Sequence, residues 1–321
     1  MKGQLLVADI GGTNARFALA DAGSGAISSV QALKADDYPS VEAAALAYLG
    51  RVGVRSRRAC FAVAAPVGAG VDSDVVAFVN SDWRFEISSL KRALGLDQLI
   101  VVNDFFALAS GVAHLPADFL VPVKDGRGVR DAPVVVIGPG TGLGQALIVP
   151  CGGARRVVAT EGGHVGFAAR TTEEFEIVQQ IARKFGRVSA ERIVSGPGLE
   201  NLYAALCAQS AAHEDNMSAE QITAAAIAQT DPVAVKTVEL FCRFLGRIAG
   251  DAVLSSGARG GVVLGGGIAP KIRESLLAGG FVDGFIDKGR MRAFVEPVPV
   301  SMIVKPGAAL IGAASVLREQ E

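Results

Sequence analysis

The chain has 321 residues, half of them hydrophobic, with a formal net charge of −1. This length exceeds what one core usually organises, so two domains are expected. With no basic block and no basic–aromatic interleaving, nucleic acid is an unsuitable partner, and four cysteines (Cys60, Cys151, Cys207, Cys242) without C-x-x-C spacing read as reduced thiols of a cytosolic protein.

In chain order, Met1-Lys2-Gly3 is followed by a short apolar run that ends at Asp9, which is strand rather than signal peptide. Strands are expected over 4–10, 15–20, 27–33, 58–65 and 99–103, where β-branched or alternating apolar residues recur. Helices fall between them, at 40–49 after Pro39 and at 87–94 before Gly95. Three strands followed by alternating helix and strand give a βββαβαβ order, an α/β domain rather than a plain doubly wound one. The stretch 132–154 carries no charge and is long enough to span a bilayer, but Pro133, Pro139, Pro150 and six glycines make it two buried strands joined by a hairpin. Helices then dominate, at 172–185, 197–209, 219–228 and 232–255, with Pro197 and Pro232 in first-turn positions. The chain closes with a strand at 261–264 running through Gly265-Gly-Gly267 into a helix, a strand at 298–304 and an Ala-rich helix at 306–317. The change of pattern puts a domain boundary near residue 110.

Two glycine-rich turns stand out, Asp9-Ile-Gly-Gly-Thr-Asn-Ala-Arg16 and Gly138-Pro-Gly-Thr-Gly-Leu-Gly144. Each lies between strand-like runs, so each reads as a hairpin whose glycines, with Asn14, supply positive φ and let backbone N–H groups approach an anion. Used twice, with a Thr in each turn and Asp9 ending the first strand, they read as paired clamps on a nucleoside triphosphate. A Walker loop is ruled out, because no Gly-Lys dipeptide occurs. The dinucleotide fingerprint fails on spacing: the sixth position is Leu143 counted from Gly138 and Gln145 counted from Gly140, and a strand follows where a helix is required.

With Asn103-Asp-Phe105, Glu161-Gly-Gly-His-Val165, Ser189-Ala-Glu-Arg192, Ser195-Gly-Pro-Gly198 and Gly265-Gly-Gly267, these turns make a chain that resembles the bacterial glucokinase family over nearly its whole length. The resemblance implies a two-domain α/β protein of the actin-like, ribonuclease H-like ATPase fold, with ATP and glucose in an interdomain cleft. The small domain would comprise 1–110 plus 305–321, and the helix-rich large domain 111–304. The implied activity is ATP-dependent phosphorylation of glucose at the 6-hydroxyl, in the cytoplasm and by a homodimer. A kinase for another hexose or N-acetylhexosamine and a sugar-responsive repressor are the alternatives. A repressor would carry a DNA-binding helical segment ahead of the first turn, and only eight residues precede Asp9.

By the same resemblance Asp104 is the general base, placed directly after the strand 99–102 at the carboxyl edge of a sheet; its plainer role is to cap the helix 105–111. Asn80, Asn103, Asp104, Glu161, His164 and Glu191 match the family's sugar contacts, although Glu191, next to Arg192, has a surface ion pair as its plainer role. ATP falls to Asp9, Gly11, Gly12, Thr13, Asn14 and Arg16 at the first turn, to Gly140, Thr141 and Gly142 at the second, and to Gly265 and Gly266 opening a helix for adenosine. Asp9 would reach Mg²⁺ through water. No cysteine cluster follows His164 to make a zinc site with it. Gly166 departs from the family pattern, in which an acidic residue is frequent at that point.

Overall fold

The computed structural model describes residues 3–65, 67, 74–78, 83–210 and 216–320. The chain divides into two compact units, Met1–Phe119 with Lys305–Glu321, and Leu120–Val304. The boundary lies beyond residue 110 because the turns Val112–His114 and Ala117–Phe119 stay with the first unit. An ion pair between Asp118 and Lys305 joins its two chain segments there.

In the first unit, β1 (Gln4–Ile10) is buried along nearly its whole length, so its sequence is an apolar run rather than an alternation. It pairs antiparallel with β2 (Asn14–Asp21), which pairs with β3 (Ile27–Lys34), and parallel on its other side with β4 (Arg58–Val63). The short strands β5 (Val75–Ala77) and β6 (Arg84–Glu86) form a separate two-stranded sheet, and β7 (Gln98–Asn103) adds parallel to β4. Helix α1 (Val41–Val52) starts where the Ser40 hydroxyl accepts from Ala43 N, and stops at Gly53, left-handed at φ 64°. Helices α2 (Ile87–Ala93) and α3 (Asp104–Gly111) flank β7 in sequence. One face of the sheet buries Phe17 stacked on Tyr48 and edge-on to Phe61. The other face packs Leu5, Val7 and Cys60 under Leu310, Ala313 and Leu317 of the C-terminal helix Ala308–Arg318. Burial pushes the Cys60 thiol up to about 12, which leaves it an inert core group.

That helix also crosses α3 so closely that a Cβ at Gly312 would land on the Ala107 carbonyl and within 3.0 Å of Gly111 N. The contact is backbone against backbone, so no side chain can turn aside. Gly312→Ala is therefore expected to cost about 1–3 kcal/mol of stability, read as a lower urea midpoint; an unchanged midpoint would mean the helices separate freely.

The second unit is built on β8 (Leu120–Lys124), β9 (Val134–Pro139), β10 (Leu143–Cys151), β11 (Ala154–Thr160), β12 (Gly261–Leu264) and β13 (Val300–Ile303), in the spatial order β11-β10-β9-β12-β13-β8. Strands β9, β12 and β13 run parallel at its centre. The uncharged stretch 132–154 is thus the β9–β10 hairpin, and among the described residues no helix is long and apolar enough to cross a membrane. Helices α4 (Thr172–Phe185), α5 (Gly196–Ser210), α6 (Ala219–Ile227) and α7 (Pro232–Ser256) follow. Pro232 takes the first turn of α7, the Asp231 carboxylate accepts from Val233 N and Ala234 N, and Gly257 ends the helix at φ 67°. Most of α7 is buried, with Phe241, Phe244 and Leu245 at 0 % exposure, so it forms the axis of this core. The short helices α8 (Arg273–Leu277), α9 (Gly280–Ile286) and α10 (Arg292–Val295) complete the unit.

Candidate active site

In the first unit the β-sheet register does the assembling. Ile10 is opposite Val63, and Val63 is opposite Asn103, so the ends of β1, β4 and β7 lie in one row. The turn after β1 and the Asn103–Asp104 pair after β7 therefore share the carboxyl edge of the sheet, two strand spacings or about 10 Å apart. The turn is closed by Gly11 N donating to Asn14 O at 2.9 Å, and Thr13 O accepts from Ala35 N at 2.9 Å. Arg16, opposite Asp9 in the register, reaches its carboxylate at 3.3 Å. Burial pushes the Asp9 carboxyl above its ordinary 3.8, opposed by the charge and hydrogen bond of Arg16.

Two local expectations are corrected here. Gly11, Gly12 and Asn14 do not have positive φ, and neither do Gly140 and Gly142. Asn14 is already the first residue of β2. The α3 cap is Asn103, whose amide oxygen accepts from Phe105 N at 2.9 Å and Phe106 N at 3.3 Å, while Asp104 is the first residue inside the helix. This frees neither group from local duty, since Asp104 Oδ1 also accepts from Phe105 N at 2.9 Å and Asn103 Nδ2 donates to Ala65 O at 3.4 Å. Asn80 lies outside the described residues.

In the second unit the glycine turn between β9 and β10 is tightened by Gly140 N donating to Gly142 O at 2.7 Å, and Gly140 O accepts from Gly196 N at 2.8 Å. Gly138 and Gly142 answer to close approach, not to φ, while a Cβ at Gly140 would meet nothing within 4 Å. A Cβ at Gly138 would fall on the Gly265 backbone, and one at Gly142 would overlap the Glu191 carboxylate. Gly265 and Gly266 do not open a helix: Gly266 is left-handed at φ 78°, and the next α-helix begins at Arg273. Instead they form a turn against the second glycine turn, where Gly265 N donates to Ile137 O at 2.9 Å and Ile268 N to Pro139 O at 3.2 Å.

Glu161, His164 and Glu191 converge. The single 3-10 turn Gly162–His164 puts His164 Nε2 at 3.8 Å from Glu161 Oε2, and His164 Nδ1 at 4.0 Å from Glu191 Oε1. These gaps exceed direct hydrogen bonds and suit groups that share a bound hydroxyl. Glu191 does not pair with Arg192, whose guanidinium lies over the Phe185 ring, 4.0 Å from its centroid. Its Oε2 instead accepts from Leu143 N at 2.9 Å. Gly166 bridges Ser189, with Ala190 N donating to Val165 O at 2.8 Å, so the stretches bearing His164 and Glu191 are zipped together by backbone. Arg187, absent from the sequence reading, donates from Nη2 to His164 O at 2.7 Å. Among the described residues no group of three or more His, Cys, Asp and Glu could hold a metal ion.

The chain has known relatives. A family model described as Glucokinase matches residues 6–320. A glucokinase of Marinobacter nauticus is 41% identical over 317 residues, 98% of each chain. The crystal structure of a glucokinase from an Antarctic psychrotroph superposes with a TM-score of 0.84 at 36% identity, covering 99% of this chain and 100% of that one. The glucokinase of Balamuthia mandrillaris, solved in complex with glucose, shares the fold with a TM-score of 0.85 at 24% identity, over 98% of this chain and 94% of its own. The fold is that of the actin-like ATPases, and the chain belongs to the glucokinase family.

Proposed function

We propose that the chain transfers the γ-phosphoryl group of ATP to the 6-hydroxyl of glucose, giving glucose 6-phosphate and ADP, with Asp104 as general base. The observation that supports this assignment of roles is the shared sheet edge, which presents the first glycine turn and Asp104 in one row, with the end of β4 between them. In the reaction the Asp104 carboxylate takes the hydroxyl proton as the sugar oxygen bonds to the γ-phosphorus. The bond from that phosphorus to the bridging oxygen breaks, and ADP leaves with its electron pair. Gly11, Gly12, Thr13, Asn14 and Arg16 hold phosphate, as do Gly140, Thr141 and Gly142. The turn at Gly265 and Gly266 borders the adenosine. Asn80, Asn103, Glu161, His164 and Glu191 orient the sugar hydroxyls.

Mg²⁺ fits the donor set at Asp9, because that ion takes one or two carboxylates with phosphate and water rather than a protein cage. Bound with ATP, it would offset the phosphate charge. Asp9 is the residue to hold it through water, and a cation there favours the ionised carboxylate that burial disfavours. The reading extends to a homodimer in the cytosol, which gel filtration and fractionation test.

The deciding experiment is ADP release measured with ATP and a panel of hexoses and N-acetylhexosamines. Glucose should accelerate it most; a response only to another sugar reassigns the substrate, and no response to any sugar removes the kinase reading. In the same assay Glu161→Gln is expected to raise the glucose KM about tenfold or more while kcat changes little, since it alters a sugar contact rather than the reacting centre. A kcat that collapses with KM intact would place Glu161 in the chemistry.

A further inference from the structure

We propose that Glu191 is a positioning residue that fastens the second glycine turn to the sugar-side cluster, so that nucleotide and sugar each bind to a surface the other's residues hold in shape. The inference rests on the kinase reading above and concerns how that site is built. Its centre is Leu143, the residue that closes the turn. The Leu143 N–H donates to Glu191 Oε2 at 2.9 Å, and its carbonyl oxygen lies where a Cβ on Gly163 would have to go. One residue of the phosphate side is therefore gripped on both edges by the elements that carry Glu191 and His164.

The Glu191 carboxylate is divided between these tasks. Oε2 holds the turn, while Oε1 faces His164 Nδ1 at 4.0 Å. Its side chain is 28% exposed against 59% for His164, which fits a group with one oxygen committed inward. The main chain beneath is fixed: Glu191 O accepts from the buried Ser195 hydroxyl at 2.7 Å, and that hydroxyl accepts from Gly198 N at 3.0 Å. Gly142 is required beside it, since a methyl group there would displace the carboxylate. A main-chain N–H donated to an ionised carboxylate is among the stronger hydrogen bonds. When the surfaces for two ligands depend on one such contact, a change that breaks it weakens the binding of both.

The test crosses the two sides by calorimetry on purified protein, with each ligand titrated alone. Glu191→Ala, on the sugar side, should weaken a non-hydrolysable ATP analogue about tenfold even with no sugar present. Glu191→Gln keeps an oxygen that can accept from Leu143 N and should restore that affinity to within about threefold of wild type. Gly142→Ala, on the phosphate side, should weaken glucose in the absence of nucleotide by a similar factor, about tenfold. Thermal unfolding of each variant verifies that it is folded, and either crossed measurement suffices if the other variant fails. Wild-type affinity in a crossed measurement on a folded variant overturns the proposal. A wild-type chain that binds neither ligand would instead remove the kinase reading itself, a result seen before any variant is made.

Discussion

Replacing Asp104 by alanine is expected to lower kcat by roughly two to four orders of magnitude, with a much smaller change in glucose affinity. The size follows from the proposed role: without an acceptor for the hydroxyl proton the attacking oxygen stays a poor nucleophile, whereas the contacts proposed between the sugar and Glu161, His164 and Glu191 are untouched. A structural explanation of such a loss can be tested separately. The α3 cap is Asn103, so Asp104→Ala leaves the cap hydrogen bonds to Phe105 N and Phe106 N in place. It removes a carboxylate from the first turn together with the contact of Asp104 Oδ1 to Phe105 N; the charge at the helix start is worth about 0.3–1 kcal/mol of stability. Asp104→Asn sharpens the point, because the amide can still accept from Phe105 N but is far too weak a base to take the proton. Both variants should therefore be folded, bind sugar and turn over slowly. Normal turnover in either would exclude Asp104 as the base.

The same residue illustrates what was legible in the sequence. A strand ending in Asn-Asp and followed by an apolar helical run announces both a helix start and a carboxylate at a sheet edge. Which of the two caps the helix is not written in the pair, since Asn and Asp cap equally well. The glycine turns are legible for a related reason, but the positive φ expected of them is not what the fold uses. Glycine at 138 and 142 makes room for Gly265 and Glu191, partners far away in the chain, and only the folded packing reveals them. Arg187 and the part played by Leu143 are not legible in the sequence, because they act through or upon backbone atoms, His164 O and Leu143 N, and a residue type carries no signal of that. The expected helix at Gly265 failed because Gly266 turns left-handed, a choice available to glycine in either structure. Elements with long periodicity are the plainest: in α7 the exposed polar positions Lys236, Glu239, Arg243, Asp251 and Ser255 recur at helical spacing among buried residues.

Within α7 one residue departs from that pattern, and it supports the second large prediction. Arg247 is 6% exposed and forms a two-pronged pair with Glu174 of α4, Nη1 to Oε2 and Nη2 to Oε1, both at 2.8 Å. The guanidinium also lies near the rings of Phe167 and Phe244, and its Nε has no hydrogen-bond partner. Glu174 additionally accepts from Arg170 N at 2.7 Å. Glu174→Ala would strand a buried cation that already carries one unsatisfied donor, so the expected loss is about 3–5 kcal/mol of unfolding free energy. Glu174→Leu with Arg247→Met, which removes both charges together, should recover most of it. Burial acts on the Glu174 carboxyl to raise its pKa, but the hydrogen bonds from Arg247 and Arg170 N and the charges of both arginines outweigh it, holding the group below its ordinary 4.5. A carboxylate with a depressed folded-state pKa contributes stability that is complete above the unfolded value and disappears as pH falls through the folded one. The gap between wild type and Glu174→Ala, measured by urea denaturation, should accordingly be full at about pH 7 and narrow steadily below about pH 4.5. A gap under about 1 kcal/mol at neutral pH, or one that widens in acid, would mean that the pair does not hold α4 to α7.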